Sequence, residues 1–173
     1  MRETLDKDRS TGSRWFVAKT RYFRQEIKLR DWFSDHGIES FVPTWHTDRR
    51  NDTEKPLVPN LVFVRTDKDT ACSFITRSAL PMRYLIDCAT HRMLVVPDKA
   101  MSDFQRVFDL MTDHGGLLDK PLKLGDRVRI TRGSLNGVEG NVLEFRGRTY
   151  VVVGLLGVLW AKAQVPRAWL ERT

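Results

Sequence analysis

Hydrophobic and polar positions in the first forty residues change from strand spacing to helix spacing. The run Trp15-Phe-Val-Ala-Lys-Thr20 predicts a strand that follows a polar tail. A helix is predicted over 24–36, with Glu26 spaced to pair with Arg30 one turn later. Gly37 ends this helix, because glycine takes a positive φ at little cost.

A second apolar run, Leu61-Val-Phe-Val64, predicts a strand, which Pro59 and Asn60 precede. Alternation places Leu61 and Phe63 on one face and the two valines on the other. One face has to pack in the core, and the other needs a helix cover or a partner, so an uncovered face would bind protein.

Further short elements follow before residue 112. An exposed polar loop or hairpin tip is expected over 47–55, a helix over 69–78 with Asp69 as its cap, and strands over 38–42, 82–86 and 93–96. The best helix begins at Pro97 and Asp98, and its apolar stripe consists of Met101, Phe104, Phe108 and Met111.

A stretch with Gly115, Gly116 and Pro121 then separates a part that mixes strands and helices from a part that is rich in short strands. Beyond it, β-rich runs over 128–130, 140–145, 149–153 and 158–163 alternate with Gly-containing turns such as Asn136-Gly137. The predicted fold class is therefore α+β: an amino-terminal antiparallel sheet flanked by helices, followed by a small all-β barrel. The predicted parts are a flexible tail (1–13), a first domain (14–111), a linker (112–122) and a second domain (123–173).

Charge is distributed unevenly between these parts. The chain has 29 basic and 22 acidic residues, a net charge of +7, and residues 119–173 hold 10 of the basic but only 5 of the acidic residues. A basic second domain indicates a polyanion or an acidic protein as partner, although a merely solubilising surface remains an alternative. The polar first fourteen residues and the absence of a long apolar run predict a cytoplasmic protein that does not bind membranes.

The sequence offers little for catalysis. Neither a phosphate-binding Gly-rich loop nor a nucleophile elbow occurs, the four histidines are scattered, and Cys72 and Cys88 form no Cys-x-x-Cys pair. We therefore expect no enzyme activity, no metal and no cofactor, and two reduced thiols.

The segment Lys19-Thr-Arg21-Tyr22-Phe23-Arg24 brings three cations and two aromatic rings into one predicted loop. Arginine binds phosphate through parallel hydrogen bonds, and aromatic rings stack on unpaired bases. The alternative is that Phe23 belongs to the core and the cations are ordinary surface residues.

Four segments, in this order, resemble the NusG family of transcription elongation and antitermination factors. They are Trp15-Phe-Val-Ala18, the run from Pro56 to Val64, Val95-Val-Pro97 before a helix, and a KOW-like motif from Gly125 to Gly140 with glycine at 133. The resemblance covers nearly the whole chain. It implies an NGN domain that binds RNA polymerase, followed by an SH3-like KOW barrel, in a monomeric protein that suppresses pausing and termination.

The resemblance also implies residue roles in the first domain. Leu61 and Phe63, with Tyr84 beside them, would dock on the clamp helices of the largest polymerase subunit. Arg21 and Arg24, next to Lys19, would face the non-template DNA strand.

In the barrel, Leu135 stands where many members carry a phenylalanine that contacts Rho or a small-subunit ribosomal protein. Gly133 and Arg132 would share that partner surface, while Arg127, Arg129 and Arg132 are alternatives for contacting nascent RNA. The pair Pro59-Asn60 and the carboxyl-terminal segment are most similar to the UpxY-like antiterminators of capsular polysaccharide operons. The alternative function is a ribosome-associated KOW-type RNA-binding protein.

Overall fold

Strand β1 (Arg14–Thr20) is the centre of an antiparallel sheet in the computed structural model, which describes residues 12–46, 54–110, 117–118, 125–157 and 159–173. The other strands of the first unit are β2 (Glu39–Phe41), β3 (Thr44–His46), β4 (Glu54–Pro56), β5 (Leu61–Thr66), β6 (Met82–Tyr84) and β7 (Val95–Val96). The sheet order is β2-β5-β1-β6, with β7 also paired to β1, whereas β3 and β4 pair only with each other. Most of the predicted polar loop lies outside the described residues.

Two helices pack on one face of this sheet. Helix α1 (Glu26–Asp35) and helix α2 (Lys68–Thr76) share an apolar core with alternate residues of β1 and β5. The core includes Phe16, Ala18, Leu29, Phe33, Val62, Val64, Ala71, Phe74, Met82 and Tyr84. Alternation had left open which face packs in the core, and the structure places Val62 and Val64 against the helices.

Both helix starts differ from the prediction. Helix α1 begins two residues later, because Arg24 has a φ of +63° and cannot be part of a right-handed helix. Helix α2 is capped by Asp67, whose carboxylate accepts a hydrogen bond from the Thr70 amide at 2.9 Å, and not by Asp69.

The chain divides into two compact units, Met1–Pro97 and Asp98–Thr173. Helix α3 (Asp98–Asp109) therefore packs with the second unit, although the prediction assigned it to the first domain. Its buried apolar side chains are Met101, Phe104 and Val107, while the predicted Met111 lies outside the described residues.

The second unit is otherwise built from one antiparallel sheet, in the order β13-β9-β10-β11-β12-β8. The strands are β8 (Leu117–Leu118), β9 (Arg127–Ile130), β10 (Glu139–Phe145), β11 (Arg148–Leu155), β12 (Leu159–Gln164) and β13 (Leu170–Arg172). A 3-10 turn covers Arg167–Trp169. Strand β8 lies inside the predicted linker and pairs with β12.

Helix α3 contributes to the packing of this sheet. One face holds its own apolar core, which includes Val128, Ile130, Val151, Val153, Leu155 and Ala161. Val152 points to the other face and is buried too. Helix α3 packs on β11 and β12 of this sheet.

These elements confirm the predicted fold class, an antiparallel sheet with helices followed by a β-rich part. Among the described residues, no helix is both long and apolar enough to cross a membrane.

Candidate functional surfaces

Leu61 and Phe63 lie on the sheet face opposite helices α1 and α2. In the register of β1 and β5, Lys19 pairs with Leu61 and Val17 pairs with Phe63. Paired residues share a face, so these four side chains, with Trp15, form one surface, which we call the distal face. The ring of Phe41 on β2 extends it, at 6.1 Å from the ring of Phe63.

The predicted exposure of this surface is wrong for this conformation. Leu61 and Phe63 each have only 1% of their surface exposed, and Trp15 and Val17 are buried as well. Their burial follows from their apolar character, because an open patch of this size would be costly in water. Binding through these side chains requires the distal face to be uncovered first.

Tyr84 does not lie beside Leu61 and Phe63. It pairs with Ala18, which places it on the opposite, helix-covered face of the sheet. Its hydroxyl donates a hydrogen bond to the Ala71 carbonyl oxygen at 2.9 Å, and burial raises the pKa of Tyr84. The prediction that Tyr84 lies beside Leu61 and Phe63 is therefore wrong. Strand alternation places its neighbour Arg83, which pairs with Lys19, on the distal face instead.

The loop between β1 and α1 is exposed, as the basic and aromatic pattern predicted. Tyr22 and Phe23 are 62% and 65% exposed, so Phe23 is not a core residue. The guanidinium of Arg24 lies over the Phe23 ring, 5.2 Å from its centroid. Arg21 is exposed as well, and Lys19 is half-buried at the edge of the distal face.

Buried groups at the base hold this loop in place. Glu26 is buried and accepts a hydrogen bond from the Asn60 amide, and not from Arg30 as the helix spacing suggested. The Thr20 amide donates to the Asn60 carbonyl oxygen at 3.0 Å, and the Thr20 hydroxyl donates to the Tyr22 carbonyl oxygen at 2.9 Å. These hydrogen bonds join both ends of the loop to the turn before β5. They hold the backbone on either side of the loop's cations and aromatic rings.

The predicted partner surface of the barrel forms a tight turn between β9 and β10. Gly133 has a φ of +76°, and a Cβ atom there would come within 2.6 Å of the Trp169 ring, so glycine is required. Arg132 is exposed, but Leu135 is buried. Leu135 is therefore not an open contact residue in this conformation.

Helix α3 binds the backbone of the same turn. Arg106 donates to the Ser134 and Asn136 carbonyl oxygens at 2.7 and 2.8 Å, and Lys99 donates to that of Gly137 at 2.9 Å. The buried carboxylate of Asp103 accepts from the Glu139 amide at 3.2 Å. Three polar side chains of α3 thus satisfy backbone groups of the turn.

Two of the cations suggested for RNA contact are already paired. Arg129 and Arg127 both bind Glu139, at 2.9 and 3.3 Å. The hydrogen bond from Arg129 is the main reason that the pKa of Glu139 is lowered. This leaves Arg132 as the cation of that set for which no carboxylate contact is found among the described residues.

Sequence reasoning missed a second basic and aromatic cluster, at the hairpin between β10 and β11. It contains Phe145, Arg146, Arg148, Tyr150 and Lys162. The sequence Phe145-Arg-Gly-Arg148 is itself aromatic and basic, so it could have indicated part of this cluster. Lys162 is distant in sequence and comes close only because β12 pairs with β11.

The geometry defines a class of protein: a sheet with an apolar distal face and a basic loop beside it, followed by a small β-rich unit. The sequence model described as "Transcription termination factor nusG" matches residues 13–105, more than half of the chain. The chain therefore belongs to the NusG family, whose members are transcription elongation and antitermination factors that bind RNA polymerase and are not enzymes.

A solved structure described as "Domain interaction in Thermotoga maritima NusG" has a similar fold. The TM-score is 0.50 at 18% sequence identity, and the match covers 94% of this chain and 98% of the other. No curated protein matches the sequence.

Proposed function

We propose that this protein is an antitermination factor that docks on RNA polymerase through the distal face. The observation that carries the proposal is the pairing of Val17 with Phe63 and of Lys19 with Leu61, which gathers apolar side chains on the face that α1 and α2 do not cover. The family resemblance supplies the partner, the clamp helices of the largest subunit. Tyr84 has no part in this surface.

The burial of Leu61 and Phe63 gives the docking step an energetic condition. Polymerase binds only the population in which the distal face is open, so its apparent affinity is reduced by the fraction of the protein in that state. A factor of this kind is selective, because a second signal that favours the open state also favours docking.

The exposed loop supplies the second contact. Arg21 and Arg24, with Lys19 beside them, bind the phosphates of the non-template DNA strand in the transcription bubble. Asn60, whose backbone anchors the loop, has a φ of +63° and so takes the conformation that glycine would have at the family's Pro-Gly position.

The mechanism is a bridge and involves no catalysis. A factor bound to the clamp and to the exposed strand stabilises the active polymerase relative to the paused one. It shifts that equilibrium only by its differential affinity for the two states, typically about 1–3 kcal/mol. A coupling of this size changes pause escape about 5- to 150-fold.

We further propose that the protein acts in the cytoplasm on particular long operons, such as capsular polysaccharide loci. Pro59-Asn60 and the carboxyl-terminal segment support this branch of the family. A barrel partner such as Rho or a small-subunit ribosomal protein would meet Arg132 in the turn, and would need Leu135 to be uncovered.

The test is retention of purified bacterial RNA polymerase by the immobilised full chain. Phe63→Ala is compared with Phe33→Ala, since both rings are buried but Phe33 belongs to α1 and packs in the core between the helices and the sheet. Each loss of a buried ring costs about 3–5 kcal/mol, so circular dichroism first establishes a temperature at which both variants stay folded. We expect Phe63→Ala alone to lose polymerase.

Equal retention by the two folded variants would contradict the docking surface. No retention by the folded wild type, together with co-sedimentation with ribosomes, would favour the ribosome-associated function. For the loop, the double variant Arg21→Ala, Arg24→Ala should retain polymerase but reduce transcriptional read-through on an operon that recruits the protein. The control double variant Arg77→Ala, Arg92→Ala should leave read-through unchanged.

A further inference from the structure

The hairpin between β10 and β11 is a tight two-residue turn. Phe145 pairs with Arg148 across it, and the two residues between them, Arg146 and Gly147, have φ angles of +51° and +73°. Positive φ at both central residues is the geometry of the tightest hairpin turns. The tip therefore presents its flanking side chains from a fixed backbone.

Rings and cations from three strands meet on one side of this hairpin. Strand register places Phe145, Arg148, Tyr150 and Lys162 on the same face of the sheet. The ammonium of Lys162 lies 5.1 Å from the Tyr150 ring centroid and 5.9 Å from that of Phe145, and the Arg146 guanidinium lies 5.1 Å from the Phe145 ring. We call this cluster of five residues the hairpin patch.

Phe145, Arg146 and Arg148 of the hairpin patch are exposed, Tyr150 and Lys162 are half-buried, and the patch carries an excess of positive charge. Phe145 is 48% exposed. Within the part of the chain that the structure describes, no carboxylate forms an ion pair with Arg146, Arg148 or Lys162. The nearby Glu144 points to the other face and accepts a hydrogen bond from Thr149 at 2.9 Å.

The residue at the tip is not the one that the turn prefers. Asparagine, aspartate or glycine normally occupies the position of Arg146, and another side chain costs about 1–2 kcal/mol at this φ. The contact of the Arg146 guanidinium with the Phe145 ring offsets part of this cost, and a bound anion would offset more of it.

We propose that the hairpin patch binds single-stranded nucleic acid, with bases stacked on Phe145 and Tyr150 and phosphates held by Arg146, Arg148 and Lys162. Charge complementarity selects a polyanion. The exposed ring of Phe145, with the half-buried ring of Tyr150 beside it, selects unpaired bases over a duplex, whose bases are already stacked. This site lies in the second unit and is separate from the loop at Arg21 and Arg24.

The experiment measures binding of the full chain to a fluorescent oligouridylate of about 12 nucleotides, by anisotropy over a series of salt concentrations. The same DNA sequence and an RNA duplex are measured in parallel. Phe145→Ala should weaken single-strand binding about tenfold. Arg146→Gly, which suits the turn, should weaken it and reduce the slope of log affinity against log salt by about 0.7.

Two controls match these changes. Leu110→Ala removes an equally exposed apolar side chain, and Arg172→Ala removes an arginine ion-paired with Asp126 at 2.7 Å. Neither should change the affinity by as much. All variants are repeated with Arg21→Ala and Arg24→Ala present, which removes nucleic-acid binding by the loop of the first unit. Binding at the hairpin patch is then measured independently of the proposed function.

An affinity that Phe145→Ala and Arg146→Gly leave unchanged in that background would overturn the proposal. So would equal binding of the duplex and the single strand. A preference for the RNA over the DNA would support nascent RNA as the ligand, and equal binding would support recognition of phosphate and base alone.

Discussion

The buried carboxylate of Glu26 accepts a hydrogen bond from the backbone amide of Asn60, 34 positions further along the chain. This bond ties the first turn of α1 to the turn that precedes β5. It therefore connects the base of the basic loop to the strand that carries Leu61 and Phe63, and both proposed contacts of the first unit depend on it.

Glu26→Ala should lower the free energy of unfolding by about 1–3 kcal/mol, because it leaves the partly buried amide of Asn60 without its acceptor. Denaturant unfolding followed by circular dichroism measures this. Glu39→Ala is the control, since Glu39 forms only an exposed ion pair with Arg65 at 3.2 Å and should cost less than about 1 kcal/mol. Equal losses in the two variants would contradict the anchoring role of Glu26.

Asp67→Ala should lower the free energy of unfolding by about 1 kcal/mol at neutral pH, because it removes the cap of α2, whereas Asp69→Ala should cost less. Hydrogen bonds from the Thr70 side chain and amide lower the pKa of Asp67. A lowered folded-state pKa means that the stabilisation is present at neutral pH and is lost as the pH falls through that pKa. The difference between wild type and Asp67→Ala should therefore shrink in acid, and a constant difference would show that the charge of Asp67 is irrelevant.

Tyr84→Phe should destabilise the protein by about 0.5–1.5 kcal/mol, because it removes the buried hydrogen bond from the Tyr84 hydroxyl to the Ala71 carbonyl oxygen. Retention of polymerase by the folded variant should equal that of the wild type. A specific loss of polymerase without loss of stability would return Tyr84 to the docking surface.

Gly133→Ala should destabilise the second unit more than Gly137→Ala. Both glycines have positive φ, at +76° and +84°, so both changes carry backbone strain of about 1 kcal/mol. Only at Gly133 does the added methyl group also collide with Trp169. Thermal unfolding of the two variants compares these costs, and equal midpoints would mean that the Trp169 ring moves away freely.

A fragment of residues 98–173 should unfold at a higher temperature than one of residues 123–173. Helix α3 packs on β11 and β12 and binds the turn through Arg106 and Lys99, so its removal exposes apolar surface and frees backbone carbonyl groups. Thermal denaturation of both fragments tests whether the predicted boundary at 111 or the contact boundary at 97 describes the folding unit. Equal midpoints would favour the predicted boundary.

The sequence determined the order of the elements, the fold class and the identity of the exposed basic loop. Strand alternation was sufficient to separate Val62 and Val64 from Leu61 and Phe63, and an apolar stripe was sufficient to identify α3. These are local properties, because they depend on spacing within one element.

The tertiary structure decided everything that depends on pairing between distant segments. Strand register placed Tyr84 on the opposite face from Phe63 and brought Lys162 to the hairpin patch. The packing of α1 beside the turn before β5 made the Asn60 amide, and not Arg30, the partner of Glu26. It also buried Leu61, Phe63 and Leu135, which their motifs presented as contact residues. No spacing rule within a single element carries this information, because burial and long-range hydrogen bonds are properties of the whole fold.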